Sequence, residues 1–318
     1  MPYYYDKLFN NPREVIDYFL RDDWFRTKDK YDATGVGMSS MLFRGQSDAN
    51  WSLISTAFRP NLLDGFALQP PSLYEKNEPI RRRLGRQLSA ELQAINIFLK
   101  SADSLGISTP IDYTSTKHSI DLINAALNDL NEYSFEEPFP HESLQRATAL
   151  AQHHGVPTRL LDWTESPLVA CFFAAYNASI FSTSPPKNGQ EIAIIFITSN
   201  HLYDDKSAVE LIRAPRHENS HLLQQQGVFT SIKNANKFFI DNNRWPSLDD
   251  YSQSQNNEIF GEVFPEGSLQ LNRVKLPASE ANSLLKELFD LNISRHSLMP
   301  TLDNAAKASS YAFQLFKS

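Results

Sequence analysis

The stretch LAQHHGVPTRLLDWTESPLVACFFAA, residues 150–175, constrains this chain more than any other. Helical spacing of Leu144, Ala147, Leu150 and Ala151 predicts a helix over 142–152 that ends near His154. Gly155 is its stop, and Pro157 prevents it from resuming. RLLDW then reads as a short buried strand. Thr164 or Ser166 caps the next helix, an apolar one over 168–175 that begins behind Pro167. A fold that obeys these signals gathers a helix end, a strand end and a helix start around two histidines, an arginine, an aspartate and a tryptophan. Burying so many polar groups is costly unless each has a partner, and a strand end facing a helix N-terminus attracts anions. Two readings stay open: Asp162, Trp163 and Thr164 line a ligand, or Asp162 pairs with Arg159 or Arg44 while His153 is a core histidine.

Two other polar clusters stand beside predicted strands. In FRGQ, residues 43–46, Arg44 follows a short strand at Met41, Leu42 and Phe43, and Gly45 permits close backbone approach. The planar fork of Arg44 suits a phosphate or carboxylate, or ties a loop to Asp162. A second extended piece is expected around Trp51–Ile54. In NSHLLQQQGVF, residues 219–229, Gln225 and Gln226 precede Gly227 and a strand, where amides can hold a substrate edge. Arg81, Arg82, Arg83 and Arg86 lie near the start of a long amphipathic helix over 80–102. They read as a solvated face or as phosphate contacts.

The remaining elements follow from periodicity. Asn11 and Pro12 open a first helix with Val15, Tyr18 and Phe19 on one face. EIAIIFITS is a buried strand, SLQLNRVKLP a partly exposed one, and PASEANSLLKELFDL and the tail are helical. The Asn-, Ser- and Asp-rich stretch around 234–258 is expected to be a polar surface insertion. Together these predict one α+β domain over 1–318, with helices surrounding a central, largely antiparallel sheet.

Composition excludes several classes of function. A net charge of −7 over 318 residues argues against a uniformly basic nucleic-acid binder, though not against a local basic patch. The single cysteine, Cys171, rules out an intrachain disulfide and a cysteine-rich zinc site. No apolar run is long enough to span a membrane and the N-terminus lacks a signal-peptide pattern, so a cytoplasmic protein without membrane association is expected. The phosphate-loop, nucleophile-elbow, zinc-protease and dinucleotide-binding signatures are missing, and the histidines show no metal-ligand spacing.

The three polar clusters, in this order, resemble the FRG family, named for its Phe-Arg-Gly signature. FRGQSDANWSLISTAFR (43–59) is similar to the family's opening, LAQHHGVPTRLLDWTESPLVACFFAA to its longest motif and NSHLLQQQGVF to its third. LNISRHSLMPTLDNAAK is similar to its closing segment, so the resemblance runs over about 11–312. His221 departs from a commonly basic Arg position, and Leu298-Met299-Pro300 departs from a Phe-Pro pattern. The resemblance implies a phage-defence or toxin-antitoxin effector with an ADP-ribosyltransferase-like fold, consuming NAD and held in check by an antitoxin protein. It implies Arg44, Asp162 and Gln225 in catalysis. Gly45, Gln46, His153, Thr158, Arg159, Trp163, Thr164 and Gln226 would surround NAD, with Arg44 on a phosphate or ribose and Trp163 stacked on a ring. Glu218 and Glu262 are further candidates for a late carboxylate. The acceptor would be RNA, gripped in part by Arg81 to Arg86, or a protein. A noncatalytic recognition module and a metal-independent RNase using His153 and His154 are the alternatives.

Overall fold

The computed structural model describes residues 4–21, 41–75, 77–109, 111–127, 139–199, 202, 207–214, 220–252 and 269–317. Seven strands in these residues form one open sheet: β1 (Tyr4–Leu8), β2 (Met41–Gln46), β3 (Leu161–Thr164), β4 (Glu191–Thr198), β5 (Val209–Ile212), β6 (Gly227–Ile232) and β7 (Leu271–Pro277). Their order across the sheet is β1-β7-β4-β2-β3-β6-β5. Every pairing is antiparallel except β1 with β7, which is parallel. The largely antiparallel sheet of the α+β expectation is therefore present, and β1 joins it by pairing with β7 across more than 260 residues of sequence.

Helices cover both faces because the central strand is apolar on both. In β4, Ile192, Ile194 and Phe196 face one core and Ala193, Ile195 and Ile197 the other, the alternation of a pleated strand buried twice over. The first face is covered by α1 (Pro12–Arg21), α5 (Pro167–Tyr176), α8 (Ala281–Asp290) and α10 (Leu302–Lys317). On the second face, Ala90 and Ala94 of α2 (Ile80–Ser104) join Leu53, Ala57 and Phe58. Behind them α2, α3 (Tyr113–Ala126), α4 (Glu142–His153) and α7 (Ala235–Asn242) enclose a third cluster around Leu84, Leu88 and Leu144.

Local signals act as expected at several ends. Asn11 Oδ1 accepts from the Arg13 amide at 2.9 Å, Ser166 Oγ accepts from the Val169 amide, and Gly155 leaves α4 at φ +84°. Three expectations need correction. The strand beginning at Met41 runs through Gln46, so Arg44 lies within it rather than after it. Trp51–Ile54 is not a strand; the chain there is irregular up to a 3-10 turn at Thr56–Phe58. Residues 234–252 are not a surface excursion. Phe239 is buried, and the Trp245 ring stacks on Phe58 at 4.4 Å and on Phe239 at 4.3 Å, apolar anchors hidden in a polar composition. The rest of that stretch, 253–258, is outside the described residues, as are Glu218 and Glu262.

Candidate functional site

The sheet opens in its middle. β2 is paired with β4 along its whole length, and β3 with β6 along its own, yet β2 and β3 share only the Phe43–Thr164 register position. Beyond that position they diverge, leaving a wedge whose walls are strand edges. The Arg44 guanidinium fills its narrow end: Nη1 donates to the Asp162 carbonyl oxygen at 2.7 Å and lies 3.8 Å from Asp162 Oδ2. Burial depresses the Arg44 pKa, the Asp162 charge opposes that shift, and the Arg59 charge adds to it.

The wedge widens into a cleft of about 470 Å³ that reaches all three sequence clusters. Its walls include Arg44 and Gln46 of β2, Asp162 and Thr164 of β3, and His153, His221 and Gln225. Asp162 is half-exposed, at 52% of its side chain, and it is the only carboxylate among the described residues lining the cleft. Gln152 holds it, donating from Nε2 to Oδ2 at 2.8 Å while its Oε1 accepts from Thr158 Oγ1 at 2.7 Å. Two polar atoms of the β2 wall, Arg44 Nε and Gln46 Oε1, are buried with no hydrogen-bond partner. The cleft therefore presents two arginines, Arg44 and Arg59, against one partly neutralised aspartate, a balance suited to an anionic ligand.

Several expected contacts fall elsewhere. Arg159 does not line the cleft. It is buried, with Nε and Nη2 on the two Glu91 carboxylate oxygens at 2.7 and 2.8 Å, and Nη1 on the Phe139 carbonyl and Asn236 Oδ1. That arrangement satisfies a buried charge and joins the strand-entry loop to α2 and α7. Thr158 is also buried and acts on Asp162 only through Gln152. Trp163 reaches the cleft wall but is 3% exposed, with Nε1 donating to Thr230 Oγ1 at 2.9 Å, so it has no open face for a ring. Trp51, 53% exposed at the same cleft, has one.

Gly45 does allow close approach, but of a helix. A Cβ there would lie 2.0 Å from the Ala170 carbonyl oxygen and 2.5 Å from the Ala174 nitrogen, both backbone atoms of α5. Gln226 is exposed at φ +48°, accepts from the Glu165 amide through its carbonyl, and does not line the cleft. Gln225 does line it, yet its amide is in use: Nε2 donates to the Leu298 carbonyl at 3.2 Å, and its own carbonyl accepts from Thr164 Oγ1 at 2.6 Å. The basic cluster at the start of α2 lies away from the cleft. Arg83 sits over the Tyr74 ring and bonds Asn243, and Arg86 bonds Glu78 and the Leu73 carbonyl, while Arg81 and Arg82 are exposed.

Three histidines stand together near the cleft. The His153 ring is 5.3 Å from His154 and 5.9 Å from His221. Burial, with the two neighbouring imidazoles, pulls His153 down to about 4, and burial also lowers His154. Both rings are neutral at pH 7, so neither is a ready proton donor there. The sequence reading gave no role to Trp51, Arg59, Gln152 or Glu91. The first two fall inside FRGQSDANWSLISTAFR and the third opens QHHGVPTRLLDWT, so their signal was membership of those segments. Glu91 carried none, being one polar residue in a long helix.

No curated protein and no solved structure matches the chain. A protein-family model does, that of the FRG domain, over residues 39–182. This span contains β2, β3 and α5, and so both edges of the wedge, whereas His221, Gln225 and Met299 of the cleft wall lie beyond it. Residues 39–182 are thus similar to the FRG domain family.

Proposed function

We propose that the cleft binds NAD as a substrate and that the protein is a mono-ADP-ribosyltransferase whose acceptor is RNA or a protein. The observation that carries this reading is the convergence of Arg44, Asp162 and Gln225, from three separate segments, on one cleft of about 470 Å³, a size within the usual range for small-ligand sites. Arg44 and Arg59 are the groups for the pyrophosphate. Trp51 offers an aromatic face to a base.

The chemistry asks for negative charge beside the ribose. As the bond between nicotinamide nitrogen and ribose C1′ breaks, its electron pair leaves with nicotinamide and positive charge develops on the sugar. A carboxylate fixed beforehand at that place lowers the barrier. Asp162 is the cleft's candidate for this role, steadied by Gln152 and with Arg44 as counter-ion. The acceptor's nucleophilic oxygen or nitrogen then bonds C1′ and releases its proton. Gln225, with its amide bound to Leu298, fits a wall residue better than a group that meets the reacting atoms.

A second reading, recognition without chemistry, is favoured by the same hydrogen bonds, since Asp162 and Gln225 are both already engaged. The RNase alternative draws no support from two histidines held neutral. Incubation with adenine-labelled NAD, together with RNA or lysate protein, separates these outcomes. The transferase reading expects nicotinamide release and label on one acceptor class, both lost in Asp162→Asn. NAD binding without nicotinamide release supports recognition alone, and RNA cleavage without NAD would revive the nuclease.

A further inference from the structure

A second polar hollow lies on the α5 side of the sheet, between α5, α10 and α9 (Arg295–Leu298). Its volume is about 170 Å³, smaller than the roughly 300 Å³ at which drug-sized sites begin. Arg295, His296 and Lys307 line it, and no carboxylate among the described residues does. Among the described residues Lys307 makes no ion pair. Arg295 donates through Nη1 to the Tyr176 hydroxyl, which leaves that hydroxyl's own proton available for donation.

The back of the hollow is a rigid aromatic stack. Tyr176 lies on Phe181 at 5.4 Å with planes 6° apart, and Phe181 lies on Tyr311 at 4.5 Å with planes 18° apart. Tyr311 is 7% exposed, and its hydroxyl is buried with no hydrogen-bond partner. Burial raises its pKa, so it remains a phenol that can donate. An unpartnered buried donor is rare in folded proteins because losing water without a replacement is unfavourable. Arg295 and Lys307, both exposed, add two cations with no acid between them, a smaller term because solvent screens them.

One kind of ligand answers both. We propose that the hollow formed by Arg295, Lys307, Tyr176 and Tyr311 is a binding site for a phosphate group, distinct from the cleft between β2 and β3. A tetrahedral oxyanion offers acceptors on several sides, matching two cationic and two phenolic donors, and its size suits the space. The site also shares a wall with the cleft. α9 starts at Arg295 in the hollow, and its last residue, Leu298, presents to Gln225 the carbonyl that helps fix the cleft wall. A bound phosphate would thus steady that wall. The inference does not depend on the cleft's being a transferase site.

Calorimetric titration of the full chain with inorganic phosphate, at constant ionic strength in chloride, tests it. Saturable binding that persists in Arg59→Gln, where the cleft has lost one of its two arginines, is expected. Lys307→Gln, at an exposed position with no ion pair among the described residues, should weaken it about tenfold or more, as loss of a charge-assisted hydrogen bond does, and Tyr311→Phe should weaken it less. Arg59→Gln, in the cleft, should leave it unchanged. Glycerol 3-phosphate, a monoester without a base for the cleft, identifies the source when titrated into Arg59→Gln: equal affinity means that the hollow takes the group on a monoester, and much weaker affinity means free phosphate. Absence of saturable binding overturns the proposal, as does binding abolished by Arg59→Gln but untouched by Lys307→Gln.

Discussion

Arg159 is where the structure departs most sharply from a ligand-centred reading of TRLLDW, and Arg159→Met measures the difference. In the folded protein its guanidinium has four hydrogen bonds, to Glu91, Phe139 and Asn236, and lies over the Phe139 ring at 4.3 Å. Removing it leaves Glu91 buried without its cationic partner, with Gln87 Nε2 as the remaining donor to its carboxylate among the described residues, at 3.1 Å. Breaking one partner from a buried pair costs about 3–5 kcal/mol. For a chain of 318 residues, an unfolding entropy of about 0.67 kcal/mol/K converts that to a fall in Tm of about 4–8 °C. Pairing Arg159→Met with Glu91→Leu should recover much of the loss, because apolar replacements of similar volume often match a buried ion pair. Circular-dichroism melts give the stability, and NAD titration well below both melting temperatures gives the affinity. The expected pattern is a lower Tm with unchanged affinity, the reverse of Asp162→Asn. A variant with wild-type Tm and no NAD binding would refute the assignment of Arg159 to the scaffold.

Three further perturbations separate the scaffold from the cleft. Gly45→Ala drives a Cβ into the backbone of α5. It should cost about 3 kcal/mol, the upper part of the overpacking range, or about 4–5 °C in the same melt, and should alter the cleft by displacing Ala170 and Phe173. Trp51→Ala removes an exposed ring, so Tm should hold while affinity for an aromatic nucleotide falls about fivefold to tenfold. His153 is held near 4 when folded but titrates at its ordinary 6.5 when unfolded, so acid favours the unfolded chain. Stability complete above pH 6.5 should be lost as pH falls toward 4. His153→Gln should flatten that part of the Tm-against-pH curve relative to wild type; parallel curves would contradict the burial of this ring.

The parts of the fold written in local chemistry were legible. The end of α4 at Gly155, the cap at Ser166, and the apolar runs of β4 and α5 depend on residues within a turn or two of one another. What could not be read was long-range. β1 carries two charges in five residues and β5, though apolar at Val209, Leu211 and Ile212, is only four residues long; both form because β7 and β6 offer them an edge, and α3 likewise went unassigned. The anchors Phe239 and Trp245 were hidden because composition averages over a stretch, whereas burial depends on what two rings meet.

The candidate site shows the same division, and Arg44 shows its cause. The sequence offers Arg44 as one of two candidate partners of Asp162, beside Arg159, and places it directly after its strand. A continued β2–β3 ladder would set a backbone donor of β2 opposite the Asp162 carbonyl; the Arg44 guanidinium occupies that place instead. The arginine is inside the strand because it completes the sheet where the ladder stops, and it faces the cleft because the stopped ladder is the cleft. Its structural and ligand-binding roles therefore share one geometry. Arg44→Ala would both remove a cation from the site and untie β3, so loss of activity in that variant alone says little about catalysis. Asp162→Asn is the better probe: it keeps the carbonyl that Arg44 holds and changes only the carboxylate.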